Sequence, residues 1–396
     1  MKQLCLPFCL VILLSVNCLY SQDTIRNYWP DHKLKAEGLA IDTIEVGHWT
    51  YFHRNGVKWM EGDYQNGKKN GQWAYYYANG HVFKKVNYLN DSINGKTIEY
   101  HENGQKRFEG DYVNGKMNGY AQWWTAAGEK DMEGNTFNDL QEGTWKFYHP
   151  DGSLGSTGDF SKGLQEGTWT YYHENGKVWK AVSYQNDKRE GETFAWYEDG
   201  KMQRKGYFKN DKEQGEWHSF YRNGMIQDKG SFDAGQMTDT WKGYYENGYQ
   251  KYETVYKDNE LNGSHKYWND NGKIKTEGNY SHNLKHGAWK DYADNGKILE
   301  SGQYKQDKKE GKWTFYNEFE KKVREQNFVN DAPEGKFTEY YPNGKVHFTG
   351  NFKDRLKEGT WKNFDPNGKL NYKAVFKRGH KVSEWSALDE KTMKPF

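Results

Sequence analysis

The stretch Glu166–Lys177 reads EGTWTYYHENGK and combines a tryptophan, two adjacent tyrosines, a histidine, a glutamate and an Asn-Gly pair. Such a density of polar and aromatic side chains is typical of a binding or catalytic site. The same letters also describe a β-hairpin, because an aromatic-rich run followed by Asn-Gly is a strong hairpin signal. Whether the stretch is unique or repeated therefore decides both the fold and where function must be sought.

The Gly-x-Trp triplet at 167–169 recurs along the chain at multiples of 24 residues. From residue 47 to the C-terminus, the register contains no insertion or deletion. The tryptophan column comprises Trp49, Trp73, Trp145, Trp169, Trp217, Trp241, Trp289, Trp313, Trp361 and Trp385. A fixed period of this length predicts an array in which each repeat packs on its neighbours.

Two further columns complete the repeat. An aromatic residue stands three positions after the tryptophan column in every copy, from Phe52 to Phe364. A turn glycine follows, with members that include Gly56, Gly80, Gly104, Gly176 and Gly296. Asn or Asp precedes most of these glycines, which predicts a type I′ turn with positive φ at both central residues. A second turn, such as Asn66-Gly67 or Asn186-Asp187, returns the chain to the next repeat.

The predicted fold class is all-β, an elongated solenoid-like meander of tandem 24-residue β-hairpin repeats. Trp169 and Tyr171 point to one face of their strand and Tyr172 to the other, so both faces carry rings. An isolated hairpin is marginal in water, and stacking on neighbours supplies the missing burial. We divide the chain into a signal peptide at 1–21, a degenerate N-terminal capping repeat at 22–46, fourteen repeats at 47–382, and a truncated C-terminal repeat and tail at 383–396.

Residues 1–21 contain one lysine, an apolar run from Leu4 to Val16 and then small and polar residues, which is typical of a secretory signal peptide. We expect an exported protein, located in the periplasm, at the outer-membrane periphery or outside the cell. Cys5, Cys9 and Cys18 all lie in this segment, so cleavage after Ser21 leaves a mature chain without thiols. A lipoprotein processed at Cys18 is disfavoured, since a bulky asparagine precedes that cysteine where a small residue is needed.

Composition and motifs restrict the classes of function that this protein can have. The 17 Trp, 31 Tyr and 20 Phe argue against disorder, and 57 basic against 55 acidic residues provide no field that would attract nucleic acid. No later run reaches the roughly 18 apolar residues of a transmembrane helix, so we expect none in the mature chain. No nucleotide-binding loop, nucleophile elbow or zinc signature is found, and we assign no catalytic, metal-binding or cofactor-binding residue.

Breaks in the columns are the informative positions. Departures from tryptophan at Ala121, Thr193, His265 and Phe337 fall 72 residues apart, and Val182, Thr254 and Gln326 interrupt a glycine column at the same interval. Duplication of triplets and a structural event every third repeat both explain this rhythm. A separate break at Glu318-Phe319-Glu320, with Ala332-Pro333 in the following connector, predicts a local distortion.

Side chains that vary between copies are candidates for recognition. These are His173, Glu174, Lys177, Lys201, Lys273, Lys297 and Lys345, all at or just after the turn. The histidine column (His53, His101, His149 and His173) is expected to face solvent, because copies about 10 Å apart do not converge on one metal ion. Acidic residues three positions before the lysines reduce the local field, which favours a solvated edge over a ridge for anionic lipids.

The unit that runs from Gly62-Asp63-Tyr64 to Asn79-Gly80 closely resembles the MORN repeat, in particular its bacterial variant form. The resemblance covers essentially the whole mature chain and implies an array of β-hairpins without catalytic activity. Members of the family are described as protein-interaction scaffolds, as membrane or lipid binders, or as antitoxin-like. We therefore predict a non-enzymatic scaffold with an unidentified protein partner. Binding to anionic lipid and binding of carbohydrate through aromatic columns are the alternatives.

Overall fold

A computed structural model describes residues 23–386 of the chain. The predicted signal peptide with its three cysteines, and the part of the tail after residue 386, lie outside the described residues. Within the described range the chain forms β-strands and no helix, which confirms the all-β prediction. It divides into two compact units, one up to Gln165 and one from Glu166 onward.

In the first unit, consecutive strands pair antiparallel in chain order, as tandem hairpins require. Its strands are β1 (Asp23–Tyr28), β2 (Leu34–Ile41), β3 (Ile44–Phe52), β4 (Lys58–Gln65), β5 (Lys68–Tyr76), β6 (Val82–Leu89), β7 (Ser92–Tyr100), β8 (Lys106–Val113), β9 (Lys116–Trp124), β10 (Lys130–Phe137), β11 (Leu140–Tyr148) and β12 (Leu154–Ser161).

The second unit follows the same rule, with one strand interrupted at His286, so that β22 pairs with both β23 and β24. Its strands are β13 (Leu164–Tyr172, which begins two residues before the division), β14 (Val178–Gln185), β15 (Lys188–Trp196), β16 (Met202–Lys209), β17 (Lys212–Phe220), β18 (Ile226–Asp233), β19 (Gln236–Tyr244), β20 (Gln250–Lys257), β21 (Glu260–Trp268), β22 (Ile274–Ser281), β23 (Leu284–Lys285), β24 (Gly287–Tyr292), β25 (Ile298–Lys305), β26 (Lys308–Tyr316), β27 (Lys322–Val329), β28 (Ala332–Tyr340), β29 (Val346–Lys353), β30 (Leu356–Phe364), β31 (Leu370–Lys377) and β32 (His380–Ser386).

The core of each unit lies on the face that carries the tryptophan column, which we call the tryptophan face. A Cβ atom on Gly62 would lie 2.3 Å from Cδ2 of the Trp73 ring, and one on Gly302 would lie 2.2 Å from the same atom of Trp313. Glycine is the residue that permits so close an approach. Both rings are 0% exposed. Each tryptophan thus closes the boundary with the preceding hairpin by covering a glycine.

A bulge before each tryptophan brings the ring to this position. Glu61 pairs with Ala74 and Asp63 with Asn70, so Gly62 faces the three residues that precede Ala74. The first of these three, Gly71, has a φ of 75°, which favours glycine. The ring nitrogen Nε1 of Trp73 then donates to the carbonyl oxygen of Asp63 at 3.1 Å. In the Gly-x-Trp triplet, the glycine therefore forms the bulge, and the bulge positions the tryptophan ring.

Tyrosines of neighbouring strands pack edge-to-face against the buried indoles. The centroid of the Trp73 ring lies 5.0 Å from that of Tyr64 at an interplanar angle of 86°, and 6.3 Å from that of Tyr88 at the same angle. In the second unit, Tyr304 stands between Trp289 and Trp313 at 5.8 and 5.0 Å. Such pairs contribute about 0.5–1.5 kcal/mol beyond their burial. The rings link one repeat to the next.

A shared volume accounts for three of the four departures from tryptophan in the 72-residue rhythm, those at Thr193, His265 and Phe337. At four places where a larger residue replaces the glycine, the tryptophan opposite is also replaced, whereas Gly110 is kept opposite Ala121 and Ala374 stands before Trp385. The substituted pairs are Val86 with Thr97, Val182 with Thr193, Thr254 with His265, and Gln326 with Phe337. A side chain larger than alanine at the glycine position occupies space that the indole otherwise fills, so in these four pairs both columns change. The out-of-phase Thr97 obeys the same rule, and both it and Val86 are almost fully buried.

Type I′ geometry occurs at the second turns, which connect one hairpin to the next, and not at the Asn-Gly turns for which it was predicted. In the turn after β3, Gly56 has a φ of 89°, while Asn55 is not among the residues with positive φ. The His53 carbonyl accepts from Gly56 N, and His53 N donates to Val57 O, as in a type I turn closed by a glycine bulge. In the two-residue second turns, both residues have positive φ, with 50° at Asn186 and 66° at Asp187. The type I′ prediction is therefore wrong for the Asn-Gly turns in the glycine column.

The predicted distortion at Glu318–Glu320 is also wrong. Glu320 N donates to Asn317 O at 2.8 Å and Asn317 N donates to Lys321 O at 2.9 Å, the same pattern as in the other turns. Pro333 pairs with Phe328 in a continuous strand. Glu320 instead adopts the backbone conformation of the glycine it replaces, with a φ of 59°. A positive φ is disfavoured for a residue other than glycine, so Glu320 is strained. The strain is confined to this residue, because the hydrogen bonds of the turn are kept.

We expect Gly62→Val and Trp73→Thr to compensate each other. Gly62→Val drives a side chain into the ring, and Trp73→Thr empties a buried site, which costs about 3–5 kcal/mol. The double variant recreates the Val86–Thr97 pair of the next repeat. Its free energy of unfolding in urea should exceed the additive expectation by about 1–3 kcal/mol. Additive losses would contradict the shared-volume explanation.

We expect Glu320→Gly to raise the free energy of unfolding by about 0.5–1 kcal/mol, because it relieves a left-handed glutamate. Glu318→Gly, in the same turn but without positive φ, is the matched control and should be neutral or destabilising. Urea unfolding of the two variants side by side measures the difference. A loss of stability of the same size in both would show that Glu320 is not strained.

Candidate functional site

The predicted recognition residues at the first turn, the turn that contains the glycine column, largely connect neighbouring repeats. His173 Nε2 lies 3.2 Å from the carbonyl oxygen of Trp196 in the next repeat. Asn175 donates from Nδ2 to Glu198 O at 3.0 Å and accepts at Oδ1 from Lys177 N. The expectation that this histidine faces solvent is therefore wrong, since its ring is half-buried against the next hairpin.

Part of the lysine column is engaged in the same way. Nζ of Lys177 donates to Asp199 O at 3.0 Å, that of Lys297 to Glu318 O at 2.7 Å, and that of Lys345 to Asn367 O at 2.7 Å. Glu174, Lys201 and Lys273 are exposed at the same edge. The recognition role of this column stays a prediction, and three of its ammonium groups cap backbone carbonyls of the following turn.

The face opposite the tryptophans carries a column of glutamates, and we call it the glutamate face. Glu133, 6% exposed, accepts hydrogen bonds from Lys130 Nζ at 2.6 Å, Tyr148 OH at 2.5 Å and Gln122 Nε2 at 2.8 Å. Burial raises the pKa of Glu133, but these hydrogen bonds outweigh burial and lower the pKa to about 2. The charge of Glu133 is therefore stabilised by its immediate partners on this face.

An apolar row at the second turns of the first unit is exposed to solvent. Leu89, Val113 and Phe137 each precede a second turn, and Leu140 follows the last of these turns and pairs with Phe137. Their exposed fractions are 49%, 48%, 60% and 48%. Successive hairpins place Leu89, Val113 and Phe137 about 10 Å apart. We call these four residues the apolar edge.

The second unit shows that the apolar edge is not required by the hairpin. The position occupied by Leu89, Val113 and Phe137 recurs every 24 residues and is mostly polar or charged in the second unit, Val329 being an exception. There it holds lysine in five copies, Lys209, Lys257, Lys305, Lys353 and Lys377. The strands on either side pair in the same register in both units. The three consecutive apolar residues Leu89, Val113 and Phe137 are thus a feature of the first unit, whereas the second unit has Val329, 45% exposed, among polar and charged residues at this position.

Sequence reasoning missed the apolar edge because it followed the positions that stay constant. The signal was present at a variable position: three consecutive copies carry Leu89, Val113 and Phe137 where most other copies carry polar residues. No group of three or more His, Asp, Glu or Cys side chains within residues 23–386 is placed to hold a metal ion. Over the same residues, no helix is long and apolar enough to cross a membrane.

Ten segments of the chain match the family model described as MORN repeat variant. They are residues 45–66, 69–90, 93–114, 141–160, 165–186, 189–210, 261–282, 285–306, 333–354 and 357–378. Together they cover more than half of the chain. They follow the same 24-residue register as the tryptophan column. A comparison with curated protein sequences finds no match.

Solved structures give only distant alignments. The crystal structure of TcdB2-TccC3 aligns at 11% identity over 91% of this chain and 21% of that chain, with a TM-score of 0.16. The Tc holotoxin pore of Photorhabdus luminescens aligns at 8% identity over 90% of this chain and 26% of that chain, with a TM-score of 0.15. This chain thus spans about a fifth to a quarter of these proteins. Scores of this size do not establish a shared fold.

Acid should weaken the first unit through Glu133. Because its pKa is lower in the folded chain than its ordinary value of 4.5, ionised Glu133 stabilises the fold above about pH 4.5. This contribution, on the order of 2 kcal/mol, is lost as pH falls towards 2. In urea unfolding between pH 7 and pH 2, Glu133→Gln should remove this acid dependence. Glu129→Gln, at an exposed turn, should keep it; parallel curves for wild type and Glu133→Gln would contradict the assignment.

Proposed function

This chain belongs to the MORN repeat variant family, and we propose that it is a non-enzymatic repeat scaffold whose apolar edge binds a protein partner in the bacterial envelope. The observation that carries the proposal is the contrast between the two units. The same repeat position is apolar and exposed in the first unit and mostly lysine in the second. A row of exposed apolar residues that the fold does not need is typical of an interaction surface.

The chemistry of the apolar edge favours a partner with an apolar face of its own. Phe137 and Leu140 pair across one second turn and are 60% and 48% exposed. Aromatic side chains at the centre of a patch commonly supply most of the binding energy of a protein interface. Leu89 and Val113 extend the row along the unit, so binding is spread over several repeats.

Location in the envelope rests on the signal peptide predicted at residues 1–21. The same segment makes a cytoplasmic antitoxin role less consistent with the sequence. Disulfides are permitted in an exported protein, and this chain relies instead on ring packing and on hydrogen bonds between repeats.

The structure gives less support to the two alternatives. A ridge for anionic lipid along the lysine column requires free ammonium groups, and those of Lys177, Lys297 and Lys345 already cap carbonyls, which leaves Lys201 and Lys273 exposed. A carbohydrate platform requires open tryptophan columns, yet the members of the tryptophan column from Trp49 to Trp361 are at most 8% exposed, and the exposed Trp59 and Trp179, at 44%, lie outside that column. Protein binding through the apolar edge requires neither free lysines nor exposed tryptophan columns.

We expect the triple variant Leu89→Asp, Val113→Asp and Phe137→Asp to lose the partner without loss of folding. Charged residues at these exposed positions disrupt apolar contact, while the second unit already carries charges at this position. Cross-linking in cells that export the chain, followed by mass spectrometry, should recover a protein partner with the wild type and at least tenfold less with the variant.

The matched control is Lys209→Asp, Lys257→Asp and Lys305→Asp, which places the same aspartates at the same repeat position of the second unit. It should capture the partner as the wild type does. Equal capture by the two triple variants and the wild type would overturn the role of the apolar edge. Recovery of no protein by the wild type would overturn the scaffold proposal.

A further inference from the structure

A cavity of about 430 Å³ opens on the tryptophan face of the second unit. It lies where β15 carries Thr193 instead of tryptophan and Ala195 instead of the aromatic residue found at this position in several other copies. Val182, opposite Thr193, occupies only part of the volume that an indole fills elsewhere. Two large-to-small replacements in one strand therefore produce the concavity.

Three cations from three consecutive strands line this cavity. They are Lys180 on β14, Arg189 on β15 and Arg204 on β16, and no carboxylate is among the lining residues. The guanidinium carbon of Arg189 lies 4.0 Å from the centroid of the Phe208 ring, and that of Arg204 lies 4.2 Å from the Trp217 ring. Stacking on aromatic rings holds both guanidinium planes in place at the cavity wall.

Acidic groups around the cavity only partly balance these charges. Arg189 Nε lies 3.3 Å from Asp211 Oδ1, and Arg204 lies 3.8 Å from Glu213. Lys180 stacks over Tyr171 at 4.2 Å and has no carboxylate within ion-pair distance among the described residues. Burial lowers the pKa of Lys180, and the charge of Arg189 lowers it further. The cavity thus holds a cation that an anion would stabilise.

The wall also contains a buried donor without an acceptor. Nε1 of Trp217 has no hydrogen-bond partner among the described residues, although the ring is 3% exposed. In Trp73 and Trp313 the same nitrogen donates to a backbone carbonyl at 3.1 Å. The repeat beside the cavity has therefore lost this contact without a replacement in the described part of the chain, whereas in Trp289 the same nitrogen donates to Asp291 Oδ1 at 3.3 Å.

We propose that this cavity binds a phosphate monoester group through Lys180, Arg189 and Arg204. Guanidinium groups match phosphate oxygens with paired donors, and an ammonium group adds a point charge. A dianion suits a site with three cations and no lining carboxylate. The volume exceeds that of a phosphate group, which leaves room for the rest of a small ester or for a lipid headgroup. The site is separate from the apolar edge and does not depend on a protein partner.

Isothermal titration calorimetry of the mature chain with inorganic phosphate and with glucose 6-phosphate tests the proposal. Saturable binding is expected, and Lys180→Gln and Arg204→Gln should each weaken it about tenfold. Arg324→Gln is the matched control: Arg324 occupies the same repeat position, stacks on Phe315 at 3.9 Å and borders none of this cavity. It should leave the affinity unchanged.

A second variant fills the cavity and keeps every charge. Val182→Gly with Thr193→Trp restores the tryptophan–glycine pair of the other repeats, so the chain should unfold at no lower urea concentration than the wild type. Phosphate binding should disappear. Binding retained in this folded variant, or no saturable heat with either phosphate probe and no Lys180-dependent binding to vesicles, would overturn the proposal.

Vesicles distinguish the two sources of the phosphate group. Lys180-dependent sedimentation with vesicles that contain phosphatidic acid, but not with phosphatidylcholine alone, would support the site and assign it to a lipid headgroup. Binding of glucose 6-phosphate without sedimentation would support the site and assign it to a soluble ester.

Discussion

The contact between a tryptophan ring and the glycine eleven residues before it is the interaction on which the rest of the structure depends. Each hairpin buries its indole on the backbone of the hairpin before it, so no repeat completes its own core. The positive φ of Gly71, the bulge and the bond from Trp73 Nε1 to a carbonyl all serve to place this ring. Burial of a large aromatic side chain contributes a few kcal/mol, enough to offset the marginal stability of a lone hairpin.

Hydrogen bonds at both ends of the hairpins add to this contact. Asn175 joins two first turns through its side chain, and Asp211 Oδ1 accepts from Arg189 N between two second turns. Several polar side chains that recur in the repeat thus form hydrogen bonds between neighbouring repeats. What remains for function lies where copies differ, at the apolar edge of the first unit and at the cavity around Thr193.

Much of the fold follows from the sequence because a repeat reports the same constraint many times. The 24-residue period, the hairpins and the two-faced distribution of rings are all readable from the columns. Turn geometry was less accessible, since Asn-Gly suits both a type I′ turn and the bulge turn that Gly56 closes. The role of His173 was missed because its partner, the Trp196 carbonyl, belongs to the next repeat. The cavity required knowing that Val182 and Thr193 share one volume across two strands.

Fragments of the second unit with one, two, three and four repeats, each beginning at Gly263, test the central claim most directly. If every repeat depends on its neighbour, the single repeat at 263–286 is unfolded in water, and urea unfolding followed by circular dichroism shows stability that rises with each added repeat. A single 24-residue repeat that folds cooperatively by itself, or a stability that does not change with the number of repeats, would contradict it.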